Sequence, residues 1–260
     1  MELLLLLPYR KEGFILNANK IYIVGIGPGD YENMTIKAIN TLEKCDTIIG
    51  YETYIKLIKP YFTDKNYLST PMTKEIDRCK ICFDEAAKGK NVAMICSGDS
   101  GVYGMAELMY RIGQDYPSIS LEIISGVTAA ISGASILGAP LIQDFAVISL
   151  SDLLTPWEKI EKRLHSAASS DMIICLYNPS SRKRHDYLAK ACDIILEYAS
   201  PDTICGVVKN IGREGEASAI YSLKELRHFD ADMFTTVFIG NSQTENINNH
   251  MVTARGYRYV

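Results

Sequence analysis

The chain alternates short apolar runs with amphipathic segments, and this alternation is the feature that most limits its fold. Residues 92–96 (Val-Ala-Met-Ile-Cys) are apolar at every position, which is typical of parallel strands covered by helices on both faces. Residues 21–26 form a similar run. Ile36, Ile39 and Leu42 then recur at helical spacing after Thr35, a good N-cap residue. Because strand, loop and helix in this order form a βα unit, we predict an α/β fold.

The same alternation continues to the C-terminal part of the chain. We predict further strands at residues 47–49, 121–124, 145–150, 172–177, 204–209, 217–221 and 234–240, and further helices at residues 76–87, 129–137, 156–168 and 182–198. Residues 138–140 (Gly-Ala-Pro) are the best candidate for a junction between two lobes. We therefore expect an N-terminal extension (1–19), an N-terminal α/β domain (20–138) and a C-terminal α/β domain (139–260).

Composition limits the classes of protein that the chain can belong to. Its 260 residues suffice for a core without disulfides, and 47% hydrophobic residues, 22% charged residues and a net charge of -4 are typical of soluble enzymes. Nucleic-acid-binding proteins are usually basic. The apolar run at residues 3–7 is too short for a secretory signal, and no run approaches the roughly 20 apolar residues of a membrane span. Its seven scattered cysteines suit a reducing cytoplasm, where we expect the protein to be. From the charge balance and the lack of a long apolar run we expect neither a nucleic-acid nor a membrane partner.

The first glycine-rich turn, residues 25–30, argues against the most common ligand of such a turn. A dinucleotide-binding turn has the pattern Gly-x-Gly-x-x-Gly, whose third glycine would be at position 30, where this chain has Asp30. Pro28 also removes one amide donor. A nicotinamide- or nucleotide-dependent enzyme is therefore the weaker alternative. The turn either serves close packing alone or lets a bulky ligand approach the backbone.

Two further glycine loops follow predicted buried strands. Residues 97–104 read Ser-Gly-Asp-Ser-Gly-Val-Tyr-Gly, and residues 125–130 read Ser-Gly-Val-Thr-Ala-Ala. In open α/β sheets, ligands bind at the carboxyl ends of the strands, so both loops are candidates for binding. Asp99 either contacts a ligand or holds an Asx-type turn. Thr128 caps the next helix, holds a ligand, or does both.

A run in the middle of the chain adds a more specific signal. Residues 150–158 carry the only Trp and fit no ordinary helix, strand or turn pattern. Together with the glycine loops and Leu-Tyr-Asn-Pro at residues 176–179, over roughly residues 20–245, the chain resembles the tetrapyrrole methyltransferases of cobalamin biosynthesis. Residues 50–54 (Gly-Tyr-Glu-Thr-Tyr), 151–157 and 177–182 resemble the precorrin-3B C17-methyltransferase group within it. Ser100 replaces the proline of the Gly-Asp-Pro found in many members, which argues against the uroporphyrinogen enzyme.

The resemblance implies a fold, a cofactor and a substrate. It implies a homodimer of two-domain α/β chains with S-adenosylmethionine in a cleft between the lobes. The implied reaction is methylation of precorrin-3B or cobalt-factor III, a polycarboxylate tetrapyrrole, at C17 with ring contraction. A sister enzyme acting at another ring carbon, such as C11 or C20, is the nearest alternative. The cofactor-binding residues that it implies are Pro28, Gly98, Asp99, Ser100, Val102, Thr128, Ala129, Tyr177, Asn178, Val208 and Lys209.

The implied chemistry needs positioning more than a nucleophilic side chain. An electron-rich tetrapyrrole attacks the methyl group of a sulfonium in line, so the protein mainly orients the two reactants. Ring contraction also requires a proton to move, which a polar side chain near the substrate can assist. We name Asp99, Asp152 and Asn178 as catalytic candidates, with Asp144 and Ser151 as further possibilities.

Basic residues near a predicted helix start are candidates for binding the carboxylates of the substrate. Residues 182–185 read Arg-Lys-Arg-His, and a helix N-terminus favours anions. We predict substrate binding by Ser151, Arg182 and Arg184; the alternative is a solvated basic face. Weaker candidates are Arg78, Lys209 and Arg213.

One pair of cysteines has the spacing of two metal ligands. Cys79 and Cys82 form a lone Cys-x-x-Cys, without further cysteines at the spacing that a zinc or iron-sulfur site requires. The four histidines are scattered. We therefore predict that the pair packs in the core and that no metal is bound.

Overall fold

A computed structural model describes residues 19–181 and 184–257 of the chain. Its strands are β1 (Lys20–Gly25), β2 (Thr47–Tyr51), β3 (Asn66–Thr70), β4 (Val92–Cys96), β5 (Ser120–Ile124), β6 (Gly138–Ala139), β7 (Phe145–Ser149), β8 (Ile173–Tyr177), β9 (Ile204–Lys209), β10 (Ala217–Ser222), β11 (Thr235–Ile239), β12 (Thr244–Ile247) and β13 (His250–Thr253). Its helices are α1 (Ile36–Lys44), α2 (Glu52–Ile58), α3 (Glu75–Ala87), α4 (Ala106–Gly113), α5 (Ala129–Leu137), α6 (Trp157–Ser169), α7 (Tyr187–Ile195) and α8 (Leu223–Leu226).

The first sheet is parallel throughout, in the order β3-β2-β4-β1-β5. Helices α1 and α2 pack on one face, where Leu42 and Ile55 meet Ile48 and Ile95 of the strands. Helices α3 and α4 pack on the other face, around Phe83. Both faces are therefore covered, as the apolar strands predict.

The second sheet is mixed, in the order β10-β9-β11-β8-β7. Only β7 and β8 are parallel; β8, β11, β9 and β10 pair in antiparallel fashion. Helices α6, α7 and α8 cover one face, and α5 covers the other. A small third sheet, β12-β13-β6, joins the end of α5 to the C-terminal hairpin.

The structure confirms the α/β fold class and refines several elements. Thr35 caps α1 as predicted, because its hydroxyl accepts a hydrogen bond from Ala38 N at 3.1 Å. Helix α7 begins at Tyr187, later than residue 182, and Arg182 lies outside the described residues. Strands β3 and β6, helices α2, α4 and α8, and the β12–β13 hairpin were not predicted.

The division into two domains at residues 138 and 139 remains a prediction. Helix α5 precedes this point but packs on the second sheet, where Ala130 and Ala134 contact Val208 and Phe238. The helix is rich in small residues, which lets it lie close to the strands. Residues 1–18, most of the predicted extension, lie outside the described part of the chain.

Cys79 and Cys82 are fully buried in the core of the first sheet. Burial raises the pKa of the Cys79 thiol to about 12, so it stays protonated at neutral pH. The sequence predicts this packing in the core.

None of the helices in residues 19–181 and 184–257 is long and apolar enough to cross a membrane.

Candidate functional site

Three glycine loops meet at the carboxyl ends of β1, β4 and β5. Gly27 and Gly98 pair backbone to backbone, with Gly27 N donating to Gly98 O at 3.1 Å and Gly98 N donating to Gly27 O at 2.7 Å. A Cβ atom at Gly126 would lie 2.2 Å from Gly98 O and 2.5 Å from Gly25 O. Such distances exclude any side chain, so glycine at position 126 is what allows the three loops to touch.

Asp99 and Ser100 hold these loops together. Asp99 Oδ1 accepts a hydrogen bond from Gly101 N at 2.8 Å, and its Oδ2 accepts one from Gly126 N at 3.0 Å. Ser100 is fully buried, and its hydroxyl donates to Ile23 O at 3.3 Å. Both side chains therefore act on the protein backbone in this structure. The cofactor contacts of both residues, and catalysis by Asp99, remain predictions.

Tyr177, at the end of β8, joins the second sheet to helix α5. Its hydroxyl accepts a hydrogen bond from Ala130 N at 2.6 Å and shares a second with Thr128 Oγ1 at 2.5 Å. Thr128 lies at the N-cap position of α5, but its side chain makes no capping hydrogen bond. Tyr177 therefore satisfies the free amide at this helix start, which the sequence assigned to Thr128.

Two side chains cross between the loops of the first sheet and those of the second. The Tyr103 hydroxyl donates to Val147 O at 2.9 Å and accepts from Ser149 N at 3.2 Å. In the opposite direction, Arg213 donates through Nε to Pro28 O at 3.0 Å and through Nη2 to the hydroxyl of Ser97 at 2.9 Å. The loops of the first sheet are thus tied to β7 by Tyr103 and to the segment after β9 by Arg213.

This space is a cleft of about 210 Å³. Its lining residues are Pro28, Tyr51, Tyr54, Ser97, Gly98, Val102, Tyr103, Thr128, Ala129, Tyr177, Asn178, Asn210, Ile211, Arg213, Met233, Phe234, Thr235 and Thr236. The structure thus brings together seven of the residues named above as cofactor-binding candidates, namely Pro28, Gly98, Val102, Thr128, Ala129, Tyr177 and Asn178.

The other four candidates for cofactor binding lie outside the lining: Asp99 and Ser100, described above, and Val208 and Lys209. Val208 is fully buried and packs against α5. The ammonium group of Lys209 lies 2.6 Å from Asp232 Oδ2. Neither Val208 nor Lys209 lines the cleft, so the structure gives them packing and ion-pair roles; cofactor binding by either remains a prediction.

Sequence reasoning missed most of the aromatic wall of the cleft. Tyr51 is the last residue of β2 and Tyr54 lies in the first turn of α2, and their rings meet edge to face with centroids 5.3 Å apart. Phe234 immediately precedes β11, and the Arg213 guanidinium carbon lies over its ring, 5.6 Å from the ring centroid. Tyr51 and Tyr54 carried a usable signal, because they lie at the carboxyl end of a strand that is parallel to β1 and β4.

A second polar cluster surrounds Asp152, in the run of residues that contains the single Trp. Arg184 donates through Nη1 to Ser151 Oγ at 2.9 Å and to Asp152 Oδ1 at 3.0 Å, and the Tyr187 hydroxyl donates to Asp152 Oδ2 at 2.7 Å. The hydrogen bond from Tyr187, assisted by Arg184, holds the pKa of Asp152 below its usual value. Asp152 is therefore ionised at neutral pH and can accept a proton or a hydrogen bond there.

Asn178 connects this cluster to the cleft. It lines the cleft with a left-handed backbone (φ 52°), and its Nδ2 donates to Ser149 Oγ at 2.9 Å. The Ser149 hydroxyl also accepts from Ser151 N at 3.3 Å. The structure thus links Asn178, through Ser149, with Ser151, Asp152 and Arg184. Their roles in catalysis and substrate binding remain predictions.

The cleft also concentrates unusual backbone conformations. Tyr103, Asn178 and Asn210 all have positive φ values, between 52° and 54°. Left-handed backbone at residues other than glycine costs free energy and is common at binding sites.

In the part of the chain that the structure describes, no group of three or more His, Cys, Asp or Glu is placed to hold a metal ion.

Fold and site define the class of the protein, and comparison with known families gives the same class. Residues 20–227 match the model of the Tetrapyrrole (Corrin/Porphyrin) Methylases. The chain belongs to this family, which confirms the resemblance seen in the motifs.

Two individual relatives match this chain over most of its length. The chain is 43% identical over 236 residues to the probable cobalt-factor III C(17)-methyltransferase of Salmonella typhimurium, covering 90% of this chain and 98% of that protein. It is also 43% identical over 244 residues to the cobalt-factor III methyltransferase of Priestia megaterium, covering 92% of this chain. That second relative is longer, and the chain spans about half of it (45%).

Solved structures agree on the fold. The crystal structure of the methyltransferase CobJ superposes with a TM-score of 0.84 at 30% identity, over 91% of this chain and all of that one. A uroporphyrin-III C-methyltransferase from Thermus thermophilus, complexed with S-adenosylhomocysteine, has a TM-score of 0.67 at 16% identity, over 85% of this chain and 97% of that one. At that identity the second match concerns the fold alone.

Proposed function

We propose that this chain transfers a methyl group from S-adenosylmethionine to C17 of cobalt-factor III, with contraction of the macrocycle, in cobalamin biosynthesis. The observation that carries the proposal is the 43% identity, over 90% of this chain and 98% of the relative, with a protein named a probable cobalt-factor III C(17)-methyltransferase. Longer relatives contain additional chain, so the proposal concerns the part that matches.

The residues of the cleft fit S-adenosylmethionine. Gly98 has a positive φ of 66°. A Cβ atom there would lie 3.6 Å from Thr128 Cα and 3.8 Å from Ala129 N, and both of these residues line the cleft. The missing side chain therefore leaves room for a ligand against the backbone. Flat aromatic side chains, Tyr51, Tyr54 and Phe234, suit the adenine and ribose of the cofactor. When bound, S-adenosylmethionine supplies an electrophilic methyl group on a sulfonium.

On this proposal, the protein acts mainly by orientation. The hydrogen bonds of Tyr103 and Arg213 across the cleft fix the loops on either side of it, which keeps the two reactants in line. Asn178 is exposed at the cleft and can hold a hydrogen bond to the substrate. Asp152 is ionised and can accept a hydrogen bond or a proton during ring contraction, although its lowered pKa makes it a weaker base as well as a poor general acid.

We propose Ser151 and Arg184 as contacts for the substrate's carboxylates. The Arg184 guanidinium carries five N–H donors, and its Nη1 reaches Ser151 and Asp152. A substrate carboxylate would share this guanidinium with Asp152.

The resemblance implies a homodimer, and the composition indicates a cytoplasmic location. Both remain predictions, which sedimentation and cell fractionation can test.

Precorrin-3B is the second candidate substrate. A precorrin-3B C(17)-methyltransferase from a Sinorhizobium species is 36% identical over 230 residues, against 43% for the cobalt-factor III relatives. The higher identity favours cobalt-factor III. A sister reaction at C11 or C20 is the remaining alternative within the family.

The proposal is tested by anaerobic incubation of the purified protein with S-adenosylmethionine and either cobalt-factor III or precorrin-3B. We expect cobalt-factor III to gain one methyl group by mass and to lose its starting absorbance. Reaction with precorrin-3B but not with cobalt-factor III would identify the metal-free pigment as the substrate. Methylation of neither pigment would overturn the C17 assignment, and a product methylated at another ring carbon would assign a sister reaction.

A further inference from the structure

Arg213 is a half-buried cation at the cleft whose charge has no carboxylate partner in the described chain. No carboxylate of residues 19–181 or 184–257 lies within 4.0 Å of its guanidinium in the ion pairs of the structure. Glu216, three residues further on, instead accepts a hydrogen bond from Gly212 N at 2.7 Å. Burial lowers the pKa of Arg213 from its usual value, although the group stays charged at neutral pH. An arginine removed from water without an anion is costly.

The hydrogen bonds of Arg213 leave donors available. A guanidinium has five N–H groups, and Arg213 gives one to Pro28 O and one to Ser97 Oγ. Both acceptors are neutral, so neither offsets the charge. The guanidinium also lies over the ring of Phe234, which is a weaker attraction. Because Arg213 lines the cleft, its other N–H groups are available to a ligand there.

The fold makes room for this side chain. A Cβ atom at Gly29 would lie 2.5 Å from Arg213 Cγ and 2.5 Å from Gly212 O. Glycine at position 29 therefore lets the stem of Arg213 pass close to the first glycine loop. The guanidinium is held at the cleft by packing as well as by hydrogen bonds.

A second buried arginine provides a contrast. Arg78 is only 4% exposed and donates to Thr70 Oγ1 at 2.9 Å, Thr70 O at 3.5 Å and Pro71 O at 3.0 Å. It does not line the cleft. Arg78 thus ties β3 to α3, whereas Arg213 presents a charge where a ligand is expected.

We propose that Arg213 binds a carboxylate of a ligand in the cleft. The inference rests on the proposed function, which supplies two sources of this group: the methionine part of the methyl donor and the acidic side chains of the tetrapyrrole. A carboxylate on a guanidinium makes short, charge-assisted hydrogen bonds that gain strength away from water. The bonds to Pro28 and Ser97 orient the guanidinium for this contact.

The test compares ligands that differ in the carboxylate. S-adenosylhomocysteine carries the amino-acid group, and 5′-methylthioadenosine lacks it. For Arg213→Met, we expect calorimetric titration to show about a 10- to 100-fold loss of affinity for S-adenosylhomocysteine and less than about a threefold loss for methylthioadenosine. Arg213→Lys should recover part of the loss, because it keeps the charge without the fork.

A second titration separates the two sources of the carboxylate. If S-adenosylhomocysteine binds Arg213→Met normally while cobalt-factor III, titrated with S-adenosylhomocysteine present, binds at least about 10-fold more weakly, the carboxylate belongs to the tetrapyrrole. Equal losses for both adenosine ligands would overturn the proposal, because Arg213 would then only tie the loops. Unchanged affinity for all three ligands would overturn it as well.

Arg78→Met is the matched control. It also removes a buried guanidinium, so it should lower the melting temperature but leave the affinity ratio of the two adenosine ligands unchanged. These titrations need no turnover. A wild-type protein that binds S-adenosylhomocysteine but methylates neither pigment would therefore refute the proposed function without deciding the role of Arg213.

Discussion

The two sheets contribute to the cleft in different ways. The first sheet supplies side chains such as Tyr51, Tyr54 and Tyr103, but its distinguishing contribution is backbone, because its glycine loops touch one another directly at Gly25, Gly27, Gly98 and Gly126. The second sheet supplies mainly side chains, among them Tyr177, Asn178, Arg213 and Phe234. Backbone contacts at van der Waals distance tolerate no added atom, whereas a side chain can be shortened in steps. Substitutions on the two sides should therefore differ in kind.

Strand direction explains this difference. In a parallel sheet all carboxyl ends lie at one edge, so β1, β4 and β5 bring their following loops together. In the second sheet, β9 and β11 are antiparallel and Lys209 lies opposite Thr235. The end of β9 therefore meets the start of β11, which places Asn210 and Arg213 beside Phe234. Only the first arrangement requires three loops to approach one another through glycine.

The largest effect is expected for Gly126→Ala. Its Cβ atom would lie 2.2 Å from Gly98 O, and both neighbours are backbone, so the loops have to separate. We expect about 3 kcal/mol of lost stability and loss of binding to S-adenosylhomocysteine. Chemical denaturation and calorimetry measure the two effects.

Gly89→Ala is the control for this substitution. Gly89 has φ 85° with nothing within 4 Å of its Cβ position, so only backbone strain of about 1 kcal/mol is expected, with normal ligand binding. Equal effects of the two variants would show that close approach of the loops is not what the glycine at position 126 provides.

A smaller effect is expected for Tyr177→Phe on the second-sheet side. The substitution keeps the ring but removes the hydroxyl that pairs with Ala130 N and Thr128 Oγ1. Two partly buried polar groups at the start of α5 are then unpaired, which costs about 1 to 3 kcal/mol. We expect a lower melting temperature and a several-fold weaker affinity for S-adenosylhomocysteine.

Tyr198→Phe provides the comparison. Its hydroxyl bonds His165 Nδ1 at 3.1 Å on the surface, and the side chain is about half exposed, so water replaces the lost bond. The change in stability should stay within about 0.5 kcal/mol. A Tyr177→Phe variant as stable as Tyr198→Phe would mean that the helix start is satisfied in another way.

The two sides of the cleft also differ in how far the sequence predicts them. The glycine loops follow apolar strands of one parallel sheet, so their meeting point was predictable. Arg213 and Phe234 come together through antiparallel pairing, which apolar runs alone do not specify. Strand β3 was missed because Asn66 and Ser69 are polar and exposed at a sheet edge.

The C-terminal hairpin could have been predicted. Asn248 and Asn249 both have positive φ, 51° and 64°, which is the two-residue turn that Asn favours between antiparallel strands. The hydroxyl that satisfies the start of α5 could not have been predicted, because Thr128 fits the N-cap pattern and Tyr177 replaces it only through tertiary contact.

The cluster around Asp152 should show a pH-dependent effect of moderate size. Because the pKa of Asp152 is lowered in the folded protein, its ionised form adds stability above its unfolded pKa of about 3.9, and this is lost as pH falls through the folded value. We expect Asp152→Asn to lose at most about 1 kcal/mol at pH 7, since the pair is partly exposed. The difference from wild type should shrink as pH falls below about 4.

Tyr187→Phe isolates the hydroxyl's share of this effect. Its bond is the main cause of the lowered pKa, so the variant should move the carboxyl's titration toward its ordinary range. NMR titration of Asp152 measures the shift directly. An unchanged pKa in Tyr187→Phe would assign the effect to Arg184 instead.

The smallest effect is expected at Lys209, where the resemblance and the structure lead to different expectations. The resemblance implies cofactor binding, but the ammonium group lies 2.6 Å from Asp232, is about half exposed and is outside the cleft lining. An exposed ion pair contributes about 0.2 to 1 kcal/mol. We therefore expect Lys209→Met to lower stability by no more than this and to leave the affinity for S-adenosylhomocysteine unchanged within about twofold. A loss of 10-fold or more would place the lysine in the cofactor site and mean that its pairing with Asp232 gives way when the ligand binds.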